Sequence, residues 1–163
     1  MRFPFLKSSL FLLLFLIGSS SLKAQVTIRY IGNMGVLISG ENSSVIIDGF
    51  HKEYNKDTYL FPPQSLVDSL TQAIDREIPP IVAIAATHYH RDHLDGRQIA
   101  TFIDSNPDAL FFGSHQSVDL VKKAKAGLED QIITVDTGSY TKQSVEHAGI
   151  SITSFYINHV NPM

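Results

Sequence analysis

The stretch Ile81-Val82-Ala83-Ile84-Ala85-Ala86 constrains the fold most, because it is short, apolar throughout and partly β-branched. Such a run fits a strand covered on both faces, as strands of a parallel sheet are, and parallel strands need crossover connections. Past Gly96 the spacing changes, and Ile99, Ala100, Phe102 and Ile103 form a stripe of helical period. A strand leading to a helix predicts an α/β chain. Between the two lies Thr87-His88-Tyr89-His90-Arg91-Asp92-His93-Leu94-Asp95-Gly96, a loop at the end of a strand. Loops in that position commonly carry the chemistry of α/β folds.

The loop concentrates three imidazoles and two carboxylates. His88 and His90, two apart in extended chain, point the same way toward one ion, and Asp92 and His93 follow where a turn aims them at a second. Imidazole nitrogen suits zinc and related divalent ions. A lone histidine is more often a surface residue or a hydrogen-bonded core residue. Four donors from His88 to His93 reverse that reading, and the strand before and helix after supply the context such a motif requires.

The residues His88-Tyr89-His90-Arg91-Asp92-His93, with Thr87 before and Gly96 after, resemble the HxHxDH signature of the metallo-β-lactamase-fold hydrolases. The resemblance runs from about Gln25 to the last residue. It implies a four-layer αββα sandwich with a mono- or dinuclear zinc site at one edge, other divalent metals being compatible, and a metal-bound hydroxide as nucleophile. It also implies a ligand set. His88, His90 and His159 hold the first metal, His159 following the strand Ile150 to Ile157 and standing 66 residues after His93. Asp92 and His93 serve the second, and Asp92 also orients the attacking water as the catalytic group. Asp48, before Gly49, looks like the aspartate that closes the corresponding strand in the family, although as a bare residue it reads equally well as part of a turn.

In the family the chain continues past this histidine to a bridging aspartate and a final histidine, and the sequence has neither downstream of His159. The expectation is the N-terminal half, mainly, of the sandwich, from a longer hydrolase of an ester, lactone, lactam or phosphoester. Motif and fold do not choose among these small-molecule substrates. A metal-binding remnant without activity is the alternative.

Met1 to Ala24 reads as a secretory signal, with Arg2 and Lys7 as its basic start, Leu10 to Ile17 as its apolar core and Ala24 as the cleavage residue. That core is short for a bilayer span, so contact with a membrane is expected only during export, to a periplasmic or secreted location. Cleavage leaves residues 25–163 as one metallo-β-lactamase-like domain of sufficient size for a core. Arg2, Lys7 and Lys23 leave with the signal, so thirteen basic residues become ten against sixteen acidic ones, a net charge of −6. An acidic domain without a basic run argues against nucleic-acid binding. The absence of cysteine removes both disulfides and thiolate ligands.

The remaining pattern predicts the rest of the sheet. Val26 to Ile31 and Val36 to Ser39 are strands joined by a tight turn at Gly32 to Gly35, and Ser44 to Asp48 is a third strand after the turn Gly40 to Ser43. His51, Tyr54, Tyr59 and Phe61 sit in a long loop, with His51 a weak site candidate. A helix starting at Ser65 or Asp68 buries Leu66, Val67, Leu70 and Ile74 and ends before Pro79. After the turn Asn106 to Asp108 come a strand, Ala109 to Phe112, and a helix, Gln116 to Ala126. That helix buries Val118, Leu120, Val121 and Ala124, stops at Gly127 and exposes Lys122, Lys123 and Lys125. Gln131 to Val135 is a strand, and Val145 to Ile157 a hairpin turning at Ala148-Gly149. His115 and His147 read as surface residues, and a sandwich short of strands is expected to self-associate.

Overall fold

A computed structural model describes residues 25–51, 60–135, 142–155 and 157. The chain is mixed α/β. Six strands form one sheet in chain order: β1 (Thr27–Gly32), β2 (Gly35–Ser39), β3 (Ser44–Ile47), β4 (Ile81–Ala85), β5 (Leu110–Gly113) and β6 (Ile132–Thr134). The first three make an antiparallel meander, and β3 to β6 run parallel. The helices α1 (Gln64–Thr71), α2 (Gly96–Ser105) and α3 (His115–Ala124) make the three crossovers.

Because crossovers between parallel strands are right-handed and this strand order never reverses, all three helices belong on one face of the sheet. The core agrees: Leu37, Ile46, Ile84, Phe111 and Ile132 of the strands cluster with Val67 and Leu70, with Ile99, Phe102 and Ile103, and with Val118 and Val121. The alternate strand residues point the other way, where Val45, Ala83 and Phe112 form a second buried cluster. Over that cluster lies a hairpin, β7 (Lys142–His147) paired with β8 (Ile150–Phe155), which contributes Val145, Ile150 and Ile152. Its two-residue turn, Ala148-Gly149, has φ of 48° and 77°, the left-handed pair that matches strand twist in a tight hairpin. β4 is therefore covered on both faces, as its unbroken hydrophobicity requires.

Two helices depart from the expected pattern. Pro63 rather than Ser65 or Asp68 takes the N-cap position of α1, its φ of −56° already suited to a helix entry. This helix stops at Thr71, Ala73 adopts a left-handed φ of 50°, and Ile74 is left 61% exposed instead of buried. In α3 the buried residues are Ser117, Val118 and Val121, while Leu120 is 41% exposed and Ala124 is exposed too. The cause is a close approach of two small residues. A Cβ at Gly113 would lie 2.9 Å from that of Ser117, so the helix seats Ser117 against β5 and turns Leu120 outward.

Candidate metal centre

Parallel strands end together, so the C-terminal tips of β3, β4, β5 and β6 share one edge of the sheet, and the histidine loop leaves from β4 in its middle. Both ends of the loop are fixed. Ala86 N–H still donates to the Phe112 carbonyl at 3.0 Å, and Asp95 caps α2 by accepting from the N–H groups of Arg97 and Gln98 at 2.9 and 3.0 Å. In between, the His90 carbonyl accepts from His93 and Leu94 N–H, both at 3.0 Å, which folds the chain back on itself.

The loop is also fastened from outside. The β1–β2 turn places Asn33, at φ 44°, so that its side-chain amide donates to the Asp92 carbonyl at 2.6 Å. Asp95 N–H donates to the Phe50 carbonyl at 2.6 Å. Asp48 makes the third connection. It ends β3 with its own N–H donating to the Ala85 carbonyl at 3.0 Å, and its φ of 50° turns the chain toward the loop. Asp48 Oδ1 accepts from Thr87 N–H at 2.8 Å, and Oδ2 accepts from the Thr87 hydroxyl at 2.6 Å and from His93 Nδ1 at 2.9 Å. An ionised carboxylate has no proton to give, so the His93 proton sits on Nδ1 and the Nε2 lone pair is left for a metal. Between the two readings of Asp48, turn residue or part of the site, the geometry supports both at once: it turns the chain and holds a histidine of the loop.

His88, Asp92 and His93 come together: one donor atom from each lies within 4.8 Å of the others. His93 Nε2 is 3.5 Å from Asp92 Oδ2, and the rings of His88 and His93 are 3.9 Å apart, centre to centre. Two imidazoles and a carboxylate are a donor set that suits zinc and neighbouring divalent metals, and three protein ligands are what a catalytic zinc needs beside an open position. A divalent ion thus fits these residues. His90 stands next to His88, ring centres 4.7 Å apart, but is outside the three-donor group. His159 lies outside the described residues.

His51 is buried, 2% exposed, with Phe61 edge-on to its ring at 5.5 Å. Among the described residues neither ring nitrogen makes a hydrogen bond of good geometry, although the Gly32 backbone is close enough to act on the ring as a weak partner. Burial holds its pKa below the ordinary 6.5; the nearby Gly32 backbone opposes this in part, His93 adds to it, and Asp92 and Asp48 oppose it. The ring is therefore neutral at neutral pH. His115 is exposed at the start of α3, and His147 points Nε2 at the Asp108 carbonyl, 3.0 Å away. An open groove of about 350 Å³ lies at the far end of the sheet, among Leu70, Arg76, Ile81 and Asp108, away from the histidine loop.

Asn33 is the residue that sequence reasoning missed. Its only signal is an asparagine in a tight turn, which gives no hint of the loop it holds. No protein-family model matches the chain, and a search of curated proteins finds no match either.

Proposed function

We propose that this protein is a metal-dependent hydrolase of the metallo-β-lactamase type, exported under the direction of residues 1–24 and acting on a small ester, lactone, lactam or phosphoester. The observation that carries this reading is the convergence of His88, Asp92 and His93 within 4.8 Å, in a loop at the edge where four parallel strands end. The arrangement of layers supports it as well. Helices lie on one face of the sheet and a hairpin on the other, which is how half of an αββα sandwich is built.

In this reading His88, Asp92 and His93 hold the ion, zinc by preference, with His90 and His159 as further ligands. A divalent ion, when bound, is a Lewis acid and lowers the pKa of water from about 15.7 toward about 7. The chain's own residues do the rest. Asp48 holds His93 in the Nδ1–H tautomer through the 2.9 Å contact, so that Nε2 is always presented as a lone pair. Asp92 accepts a hydrogen bond from the attacking water at its free carboxylate oxygen and aims it. Asn33 fixes Asp92 by gripping its backbone.

The test uses protein starting at Gln25, loaded with zinc and offered a lactone, an ester, a β-lactam and a phosphodiester. Hydrolysis of at least one that disappears with a chelator and in His88→Ala and His93→Ala is the expected result. Zinc held without any turnover supports the inactive remnant instead. Failure to bind any divalent metal removes the proposal.

A further inference from the structure

Thr87 stands between the carboxylate of Asp48 and two imidazoles of the cluster. Both Asp48 oxygens grip it, Oδ1 taking its backbone N–H at 2.8 Å and Oδ2 its hydroxyl at 2.6 Å. The hydroxyl oxygen is in turn 3.2 Å from His88 Nδ1 and 3.3 Å from His93 Nδ1. Counting protons decides how these atoms are wired. At 2.6 Å the hydroxyl contact has the length of a bond from O–H to carboxylate, so the single proton of Thr87 is directed at Asp48 and its oxygen accepts. His93 Nδ1 is nearer to Asp48 Oδ2, at 2.9 Å, and sends its proton there. Of the two imidazoles, this leaves His88 to donate to the Thr87 oxygen from Nδ1, which puts the lone pair of a neutral His88 on Nε2. The opposite wiring, with Thr87 donating to His88, sets the hydroxyl lone pairs against the carboxylate at 2.6 Å. Two acceptors at that distance repel.

We propose that Thr87 is a positioning residue for the metal ligand His88, its hydroxyl passing the tautomer choice of Asp48 on to that ring. One carboxylate, 4% exposed, thereby orients two ligands, His93 by direct contact and His88 through Thr87. Metal-bound histidines usually donate from their second nitrogen to a hydrogen-bond acceptor, which fixes the ring and raises its basicity. Threonine suits this relay because branching at Cβ restricts χ1, while the bond from its backbone N–H to Oδ1 holds the residue in place. This inference rests on the metal reading above.

The experiment records ¹⁵N spectra of the histidine rings in metal-free protein, in mildly alkaline solution where imidazole is neutral, and measures zinc affinity by competition with a chromogenic chelator. In the parent, His88 and His93 are both expected to carry the proton on Nδ1. Thr87→Val keeps the shape and the backbone N–H while deleting the hydroxyl. It is expected to release His88 to a mixture of tautomers, to leave His93 on Nδ1 and to weaken zinc binding about tenfold or more. Thr87→Ser restores the hydroxyl and is expected to keep His88 on Nδ1, with zinc affinity within about threefold of the parent. A parent whose His88 carries its proton on Nε2 overturns the proposal. So does a folded Thr87→Val with the parent's tautomers or the parent's zinc affinity, and so does a Thr87→Ser as impaired as Thr87→Val, which makes packing the cause. If Thr87→Val does not fold, the parent spectrum and Thr87→Ser decide. A parent that binds no zinc takes down the metal reading and this assignment with it, whereas a zinc-binding parent with His88 protonated on Nε2 takes down this assignment alone.

Discussion

Asp48 shows how much one side chain decides. Its two oxygens take a backbone N–H, a hydroxyl and an imidazole N–H, and its left-handed φ points it at them. Asparagine tolerates that backbone but replaces one acceptor with a donor, which faces the Nδ1 proton of His93 and favours the other tautomer. Asp48→Asn is therefore expected to keep the fold and to weaken zinc binding about 10- to 100-fold, read by competition with a chromogenic chelator. His51 gives a second expectation, in metal-free protein. Its folded pKa lies below 6.5, so in mild acid the unfolded chain binds a proton that the folded chain refuses. The stability that follows is fully present above about 6.5 and is lost as pH falls through the lower folded value. Urea melts over this range should show the loss in the parent and a flatter profile in His51→Phe.

Among the elements, α2 and α3 meet at a glycine. A Cβ on Gly96 would stand 2.5 Å from the Leu120 carbonyl oxygen and 2.7 Å from its carbon, and backbone cannot swing aside as a side-chain tip can. Gly96→Ala should cost about 1–3 kcal/mol by overpacking, more than the roughly 1 kcal/mol at most that alanine gains in a helix; urea unfolding measures the difference. The strands and α2 were legible in the sequence because their patterns are unambiguous. Ile81 to Ala85 is wholly apolar, and Ile99, Ala100, Phe102 and Ile103 are the residues that α2 buries. The direction of α3 was not legible, since Leu120 competes with Ser117 on hydrophobicity alone and only the approach to Gly113 decides between them. In the site, the loop declared itself through its crowded donors. Of its anchors, Asn33 did not, being a turn residue by type 59 positions from the group it holds, and Asp48, 39 positions from Thr87, stood out only through the family resemblance, since by type it reads equally well as a turn residue.

At the scale of the molecule, the face that carries the hairpin is covered unevenly. β7 and β8 lie over β3 to β6, while Ile28 and Tyr30 on β1, directed to the same face, are 69% and 58% exposed. Apolar patches of this kind associate. Replacing both by threonine, which keeps strand propensity, should lower the sedimentation-average mass of the protein. Zinc should act on the whole domain too: an ion that binds only the folded state adds about 2.7 kcal/mol at a hundred times its Kd, a rise in Tm of roughly 5–10 °C for a domain of this size. His93→Ala should abolish that rise in a thermal melt. The fastening of the loop has one more consequence, for the speed of uptake. A segment already tied down at Ala86, Thr87, Asp92 and Asp95 has little freedom left to surrender when the ion arrives. Capture then waits on the hydrated ion shedding its water molecules, and the chain itself adds no slow ordering phase.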